Sequence, residues 1–292
     1  MELLRIVDLR CEYLVNPLGI DDEMPRLSWR IRCGRTACAQ TAYRIQVASS
    51  ENLLLQGKPD LYETGRVESD QCHLVDYQGV PLQSRQRCFW RVKVWDEHGA
   101  ESSWSEVASW EMGLLAAEDW KAQWITLDLS DENADAEYEL PPAPYLRKEF
   151  FIPGKVKAAR LYVTALGLYE LYLNNDRVGD RVFTPGWTDY ATRLHYHVHD
   201  VTGLLREGRN ALGSILSYGW YSGYVGYAIY VDHPRKKDFY GKGAALLCQL
   251  EVEFDDGSTH RVCSDRKWKG KSGPIRSSDI LMGETYDATR DP

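Results

Sequence analysis

The sequence of 292 residues, 43% hydrophobic and 27% charged, has the length and balance of one large or two ordinary globular domains, which excludes disorder over most of the chain. A net charge of −8 excludes the concentrated basic surface that phosphate recognition needs, so nucleic acid is not an expected partner. No stretch approaches the roughly 18 apolar residues of a membrane span, and the start Met1-Glu2-Leu3-Leu4-Arg5-Ile6-Val7-Asp8 lacks the basic and apolar regions of a signal peptide, so a cytoplasmic protein without membrane contact is expected.

Period-2 alternation recurs along the chain, and no window of a dozen residues carries an apolar stripe at helical spacing, which predicts an all-β protein. Tyr43, Ile45 and Val47 alternate with Arg44 and Gln46, and Trp90, Val92 and Val94 alternate with Arg91 and Lys93, so each run turns one face to a core. The second run ends in the turn Asp96-Glu97-His98-Gly99 and returns through Ser103-Trp104-Ser105 toward Ala108-Ser109-Trp110. Residues 1–115 are therefore expected to form an immunoglobulin or fibronectin III-like β-sandwich.

Residues 116–144 are expected to be a linker. Asp131, Glu132, Asp135, Glu137 and Glu139, followed by Pro141-Pro142-Ala143-Pro144, are too acidic and proline-rich for a packed element. Within it, Trp120-Lys121-Ala122-Gln123-Trp124-Ile125 has the pattern of a first strand of the next domain. Residues 145–292 should form a jelly-roll β-sandwich. Leu146, Lys148 and Phe150 alternate with Arg147 and Glu149, and Tyr169 to Leu173 leads into the hairpin turn Asn174-Asn175-Asp176. Leu246, Cys248, Leu250, Val252 and Phe254 alternate with polar positions up to the turn Asp255-Asp256-Gly257-Ser258. Cys11, Cys33, Cys38, Cys72, Cys88, Cys248 and Cys263 are odd in number and contain no CxxC pair, the pattern of small buried residues or thiols in a reducing compartment.

The ring content is unusual, with 10 Trp and 18 Tyr against 6 Phe. Rings with a polar edge suit sugar binding, because an aromatic face meets the C–H side of a pyranose while Asp, Asn and Glu meet its hydroxyls. Trp187, Asp189, Tyr190, Trp220, Tyr221 and Tyr224 supply both kinds of group in Gly-containing segments expected to be loops. The same rings also suit packing in the core or against a following domain. Asp279 and Glu284, in the polar stretches Ser277-Ser278-Asp279-Ile280 and Gly283-Glu284-Thr285-Tyr286-Asp287, are candidates for a sugar hydroxyl or a domain contact, or for capping backbone N–H groups. His195, His197 and His199 fall on one face of a strand, where imidazoles could hold zinc, but Tyr196 and Val198 look like the inward face, and a solvated histidine face is the plainer expectation. Gly219 to Gly226 lacks the Lys-Ser/Thr ending of a phosphate loop.

Six strings, in order, resemble the amino-terminal region of bacterial α-L-rhamnosidases of glycoside hydrolase family 78. They are Cys11-Glu12-Tyr13-Leu14-Val15-Asn16-Pro17-Leu18-Gly19-Ile20, Pro25-Arg26-Leu27-Ser28-Trp29, Trp110-Glu111-Met112-Gly113-Leu114-Leu115, Pro185-Gly186-Trp187-Thr188-Asp189-Tyr190, Tyr218-Gly219-Trp220-Tyr221-Ser222-Gly223 and Gly283-Glu284-Thr285-Tyr286-Asp287-Ala288. The resemblance implies an immunoglobulin-like domain and a jelly-roll domain ahead of a further β region and an (α/α) barrel that carries catalysis. No catalytic residue is then expected here. The barrel and rhamnose-containing glycosides are the expected partners, and the stop at Thr289-Arg290-Asp291-Pro292 suggests a truncated piece. No cofactor is expected, although some relatives carry a calcium-assisted rhamnose-binding module whose ligands have no secure counterparts in this sequence. A free-standing carbohydrate-binding module and a homo-oligomeric assembly module are the rival expectations.

Overall fold

The computed structural model describes residues 4–34, 37–132, 140–232 and 236–290. Asp135, Glu137 and Glu139 of the acidic run, Met1 to Leu3 and the final Asp291-Pro292 lie outside the described residues. The chain divides into two compact units, Met1–Trp120 and Lys121–Pro292.

In the first unit, strands β1 (Arg5–Cys11), β2 (Leu18–Ile20), β3 (Arg26–Arg32) and β4 (Gln40–Ala48) precede the short helix α1 (Glu51–Leu55). Strands β5 (Tyr62–Glu63), β6 (Val67–Glu68), β7 (Val75–Asp76), β8 (Arg87–Asp96) and β9 (Ala108–Met112) follow. One sheet runs β1-β3-β7 and the other β2-β9-β8-β4-β5, with β6 also on β4. Leu27, Trp29 and Val75 from the first sheet and Ile45, Val47, Trp90, Val92, Val94 and Trp110 from the second share one buried cluster. The alternation at 43–47 and 90–94 thus buries the rings and branched chains it was expected to bury. The turn after β8 is closed by the Asp96 carboxylate, which accepts from the N–H of His98 and Ala100, with Gly99 at φ +78°. Trp104 lies under three cations, Arg44, Arg91 and Lys93, each within 5.9 Å of its ring.

The second unit contains β10 (Pro144–Ile152), β11 (Val156–Leu166), β12 (Leu168–Leu173), β13 (Asp176–Arg177), β14 (His197–Asp200) and β15 (Gly208–Ser217). Two single-turn helices, α2 (Gly219–Ser222) and α3 (Gly226–Tyr230), lead to β16 (Ala245–Phe254), β17 (Thr259–Cys263), β18 (Lys269–Ser272), β19 (Ile275–Asp279) and β20 (Gly283–Tyr286). The chain passes back and forth between a five-stranded sheet, β13-β12-β15-β10-β18, and a four-stranded sheet, β14-β11-β16-β17, while β19 and β20 form a separate ribbon. Leu146, Leu171, Leu212 and Leu216 of one sheet meet Leu161, Val163, Leu246, Leu250 and Val252 of the other in a largely aliphatic core, into which Cys248 is also buried. Both units are all-β, as the alternation predicted. The Asn174-Asn175 turn between β12 and β13 has both residues at positive φ, the backbone that a two-residue hairpin needs and that Asn tolerates.

The proline-rich stretch is packed, contrary to the expectation. Leu140 and Ala143 are buried, the Leu140 and Ala143 N–H groups donate to Ser277 Oγ and the Ile275 carbonyl, and Pro144 opens β10. Prolines lack a donor but keep an acceptor, and the Pro142 carbonyl takes the Tyr218 hydroxyl. Residues Lys121 to Ile125 hydrogen-bond to Gln249, Ser264 and Leu246 of the second unit, although only Ile125 makes a β-bridge.

Candidate functional site

Three segments of the second unit carry the candidate residues: the loop from β13 to β14, the stretch from α2 through residue 243, and the β19–β20 ribbon. The first is anchored by Thr184, whose hydroxyl donates to the Tyr169 carbonyl while its own carbonyl accepts the Tyr169 N–H. The Thr184–Pro185 peptide is cis. Beyond it, the Asp189 carboxylate accepts from the Ala191 N–H and the Thr192 hydroxyl and so shapes its own turn. Both oxygens of this candidate sugar ligand are engaged locally.

Trp187 and Trp220 stack with ring centroids 5.8 Å apart and planes 7° from parallel. Phe183 lies 6.0 Å from Trp220 on its other contact. Trp187 keeps 54% of its surface exposed and Phe183 56%. Beside this row, Tyr190 packs against Tyr221 and Tyr240 at 5.3 and 5.0 Å, and the Trp187 indole N–H points to the Tyr240 hydroxyl at 3.4 Å. Burial of Tyr190 pushes its phenol up to about 12. Four of the expected residues, Trp187, Tyr190, Trp220 and Tyr221, therefore form one aromatic group. Trp220 and Tyr221 sit on α2, a helical turn rather than the loop expected for them. Gly241 lets the chain pass against Tyr221, where a Cβ would meet the ring hydroxyl at 2.1 Å.

Tyr224 and Asp279 belong to a different, interior arrangement. Asp279 Oδ2 accepts the Tyr224 N–H, and Oδ1 accepts the N–H groups of Leu281 and Met282, which fixes the turn of the β19–β20 ribbon to the end of α2. Gly223 is required for that approach, since a Cβ there would lie 2.6 Å from Oδ2. Tyr224 is buried, with Lys237 Nζ 5.7 Å from its ring centroid. Glu284 is exposed on β20. It lines a cleft of about 400 Å³ with Arg177, Arg181, Glu170, Phe183 and Ser217 over an apolar floor that includes Leu168 and Ile215.

The histidines correct the expected face. In the antiparallel register of β14 on β11, His197 lies opposite Val163 and His199 opposite Leu161, so it is the histidines that share a face with the core, while Val198 pairs with Tyr162 on the other side. An inward histidine is tolerated because β14 is an edge strand, where other groups reach the ring. The Tyr169 hydroxyl meets His197 Nδ1 at 3.0 Å and Arg181 approaches Nε2 at 3.4 Å. Burial, with the Arg181 charge added, lowers His197 to about 4 and also lowers His199. His195 is exposed. Among the described residues no three His, Cys, Asp or Glu side chains gather as a metal-holding group.

Phe183, Tyr240 and Arg181 escaped the sequence reading. Tyr240 is a neighbour of the recognised rings in space but not in sequence, Phe183 lies just ahead of the Pro185–Tyr190 string and meets Trp220 only through the fold, and a single arginine in a turn carries no pattern.

Two family models match the chain: the Rha78A-like, N-terminal immunoglobulin domain over residues 6–116, and the Alpha-L-rhamnosidase N-terminal domain over residues 154–292. An alpha-L-rhamnosidase of Formosa agariphila is 40% identical over 94% of this chain. The chain spans 29% of that relative's length. The structure of an alpha-L-rhamnosidase from Dictyoglumus thermophilum superposes with a TM-score of 0.88 at 36% identity, over 100% of this chain and 32% of that one. The Streptomyces avermitilis alpha-L-rhamnosidase complexed with L-rhamnose gives 0.87 at 30% identity, over 99% of this chain and 43% of that one. With both of its domains matched in order, the chain belongs to the α-L-rhamnosidase family, as the N-terminal region of such a protein.

Proposed function

We propose that the polypeptide carrying this region hydrolyses terminal α-L-rhamnose from glycosides, with inversion, and that these 292 residues are its non-catalytic scaffold and substrate-side wall. The relatives matched along nearly the whole chain are α-L-rhamnosidases several times its length, which leaves room for a C-terminal catalytic barrel as the principal partner. The observation that carries the scaffold reading is the commitment of two of the three candidate carboxylates, which leaves the exposed Glu284 without a candidate partner for an acid–base pair. Inverting hydrolysis needs a carboxylic acid and a carboxylate about 6.5–9.5 Å apart, one to protonate the leaving oxygen and one to activate water. Here Asp279 is held by three backbone donors and Asp189 by its own turn, so neither serves as that acid or base. The role left to the domain is positional: it shields and shapes the approach to groups held elsewhere. We place the protein in the cytoplasm; no helix among the described residues is long and apolar enough to cross a membrane.

Exposure of Trp187, stacked on the half-buried Trp220, favours a second role, direct contact with the glycan, with or without calcium. The test of the main reading is turnover of an aryl α-L-rhamnoside. The 292-residue chain is expected to release no phenol, with or without added calcium, and the same region joined to the rest of its polypeptide is expected to release it. Turnover by the 292 residues alone would overturn the scaffold assignment.

A further inference from the structure

The cleft beside the β19–β20 ribbon and the aromatic row are continuous, because Phe183 belongs to both: it lines the cleft and its ring lies 6.0 Å from Trp220, which stacks on Trp187. The cleft has the volume of a small-ligand site, about 400 Å³, and a mixed lining. Leu168 and Ile215 give it an apolar floor. Arg177 and Arg181 bring donors and Glu170, Glu284 and Asp279 bring carboxylates, a formal excess of one negative charge. Asp279 spends both oxygens on the N–H groups of Tyr224, Leu281 and Met282, which leaves two groups of each sign in balance for a ligand. That balance disfavours a phosphate or a metal cation, each of which needs an excess of one sign. It suits a neutral polyol, whose every hydroxyl both donates and accepts.

A second observation lies behind the cleft. A void of about 10 Å³ is lined by Tyr169, Glu170, Arg177 and Arg181, all four shared with the cleft, and by His199. His199 Nε2 is a buried ring nitrogen with no hydrogen-bond partner among the described residues. A void of that size fits about one water. Polar capacity is thus directed toward the inner wall of the cleft, where His197 already holds Arg181.

We infer that the cleft and the Phe183–Trp220–Trp187 row form one track for a neutral oligosaccharide of at least two sugar units, one pyranose in the cleft and the next against the exposed rings. This rests on the proposal that the substrates are rhamnose-containing glycosides and adds where the sugars beyond a single unit are held. The hydroxyls of the first sugar bond to Arg181 and Glu284, its C–H face lies on Leu168 and Ile215, and the second sugar covers Phe183 and Trp187.

Calorimetric titration of the 292-residue chain with L-rhamnose and with an α-L-rhamnosyl-glucose disaccharide tests it. The disaccharide is expected to bind about tenfold more tightly than the monosaccharide, a gain of the size of one good aromatic contact. Trp187→Ala should remove most of that tenfold gain and change rhamnose affinity by less than about twofold, whereas Arg181→Ala should weaken both sugars by about tenfold. Both side chains are exposed, so neither change threatens the fold. Tyr230→Ala, at a ring 89% exposed outside the track, is the control and should leave both affinities unchanged. No saturable binding of either sugar, equal affinity for the two, or a Tyr230→Ala loss equal to that of Trp187→Ala would each overturn the track. Turnover by the longer polypeptide does not depend on any of these outcomes, so the hydrolase proposal is tested separately.

Discussion

The two domains use the same residue types in opposite ways. In the first, Trp29, Tyr77, Trp90 and Trp110 are core residues, and among its described residues only Tyr13 is an aromatic ring counted among the exposed large side chains. In the second, the core is filled mostly by Leu, Val and Ala, and Phe183, Trp187, Tyr227, Tyr230, Phe239 and Tyr286 are exposed. A ring that the core requires is explained by burial. A group of rings left in water, beside a core that aliphatic chains fill without them, calls for a surface function. The contrast also explains why the abundance of Trp and Tyr says little by itself: the excess has two causes, and only position separates them.

The most severe way to break the contrast is to remove a ring from each side of it. Trp90, on β8, is fully buried between the two sheets of the first unit. Trp90→Ala is expected to cost about 3–5 kcal/mol, from the lost transfer energy and the cavity left behind. Urea denaturation followed by near-UV circular dichroism measures it, and a loss below about 1 kcal/mol would mean that the first core does not depend on its rings as argued.

How much of this was legible in the sequence follows the same division. Where one side of a strand is buried, period-2 alternation reports it, as in Tyr43-Ile45-Val47 and Leu246 to Phe254, and Asn174-Asn175 and Asp96 to Gly99 announced their turns by their tolerance of positive φ or by a capping carboxylate. The histidine strand was misread because alternation gives two faces without saying which is inward, and Val198 outranked two imidazoles on hydropathy alone. Pairing with Leu161 and Val163 decided it, and pairing is not local. The proline-rich segment failed for a related reason: Leu140 and Ala143 are buried by strands more than a hundred positions later in the chain. At the candidate site, Trp187, Tyr190, Trp220 and Tyr221 were found, while Phe183, Tyr240 and Arg181 were missed because their contacts with Trp220, Tyr190 and His197 are made by the fold.

Within the second domain, the contrast sharpens between carboxylates that build the site and groups that face outward. Asp279→Asn keeps the shape but leaves one of the two acceptor positions as an amide, facing N–H groups of Tyr224, Leu281 or Met282. The expected loss is about 1–3 kcal/mol, because a buried donor is left without its acceptor. Hydrogen exchange at those three amides reads it locally, and unchanged protection would show that the carboxylate is not what fixes the ribbon.

The inward histidines predict a pH dependence confined to the second domain. Folded His197 protonates near 4 rather than 6.5, so below about pH 6.5 the unfolded chain takes up protons that the folded chain refuses. Stability is then fully present above pH 6.5 and falls as pH drops toward 4, by up to about 3 kcal/mol and, since the ring keeps some contact with solvent, about 1–2 kcal/mol after screening. His199 acts in the same direction. Urea midpoints between pH 7.5 and 4.5, compared with those of His197→Gln, isolate the contribution. An equal acid loss in the variant would assign it to other groups.

The smallest expected effect is the other half of the ring comparison. Trp187 stacks on Trp220 and reaches Tyr240 with its indole N–H, but more than half of it is in water. Its removal forfeits one aromatic contact and one long hydrogen bond and opens no enclosed cavity, so Trp187→Ala should change the unfolding free energy of the second domain, measured by urea denaturation, by no more than about 0.5–1 kcal/mol. A loss of Trp90 size would mean that the aromatic row is part of the structural core of the domain, and its exposure would then be no argument for a ligand. A small loss, set beside the large one at Trp90, leaves the row free to be kept for what it touches outside the chain.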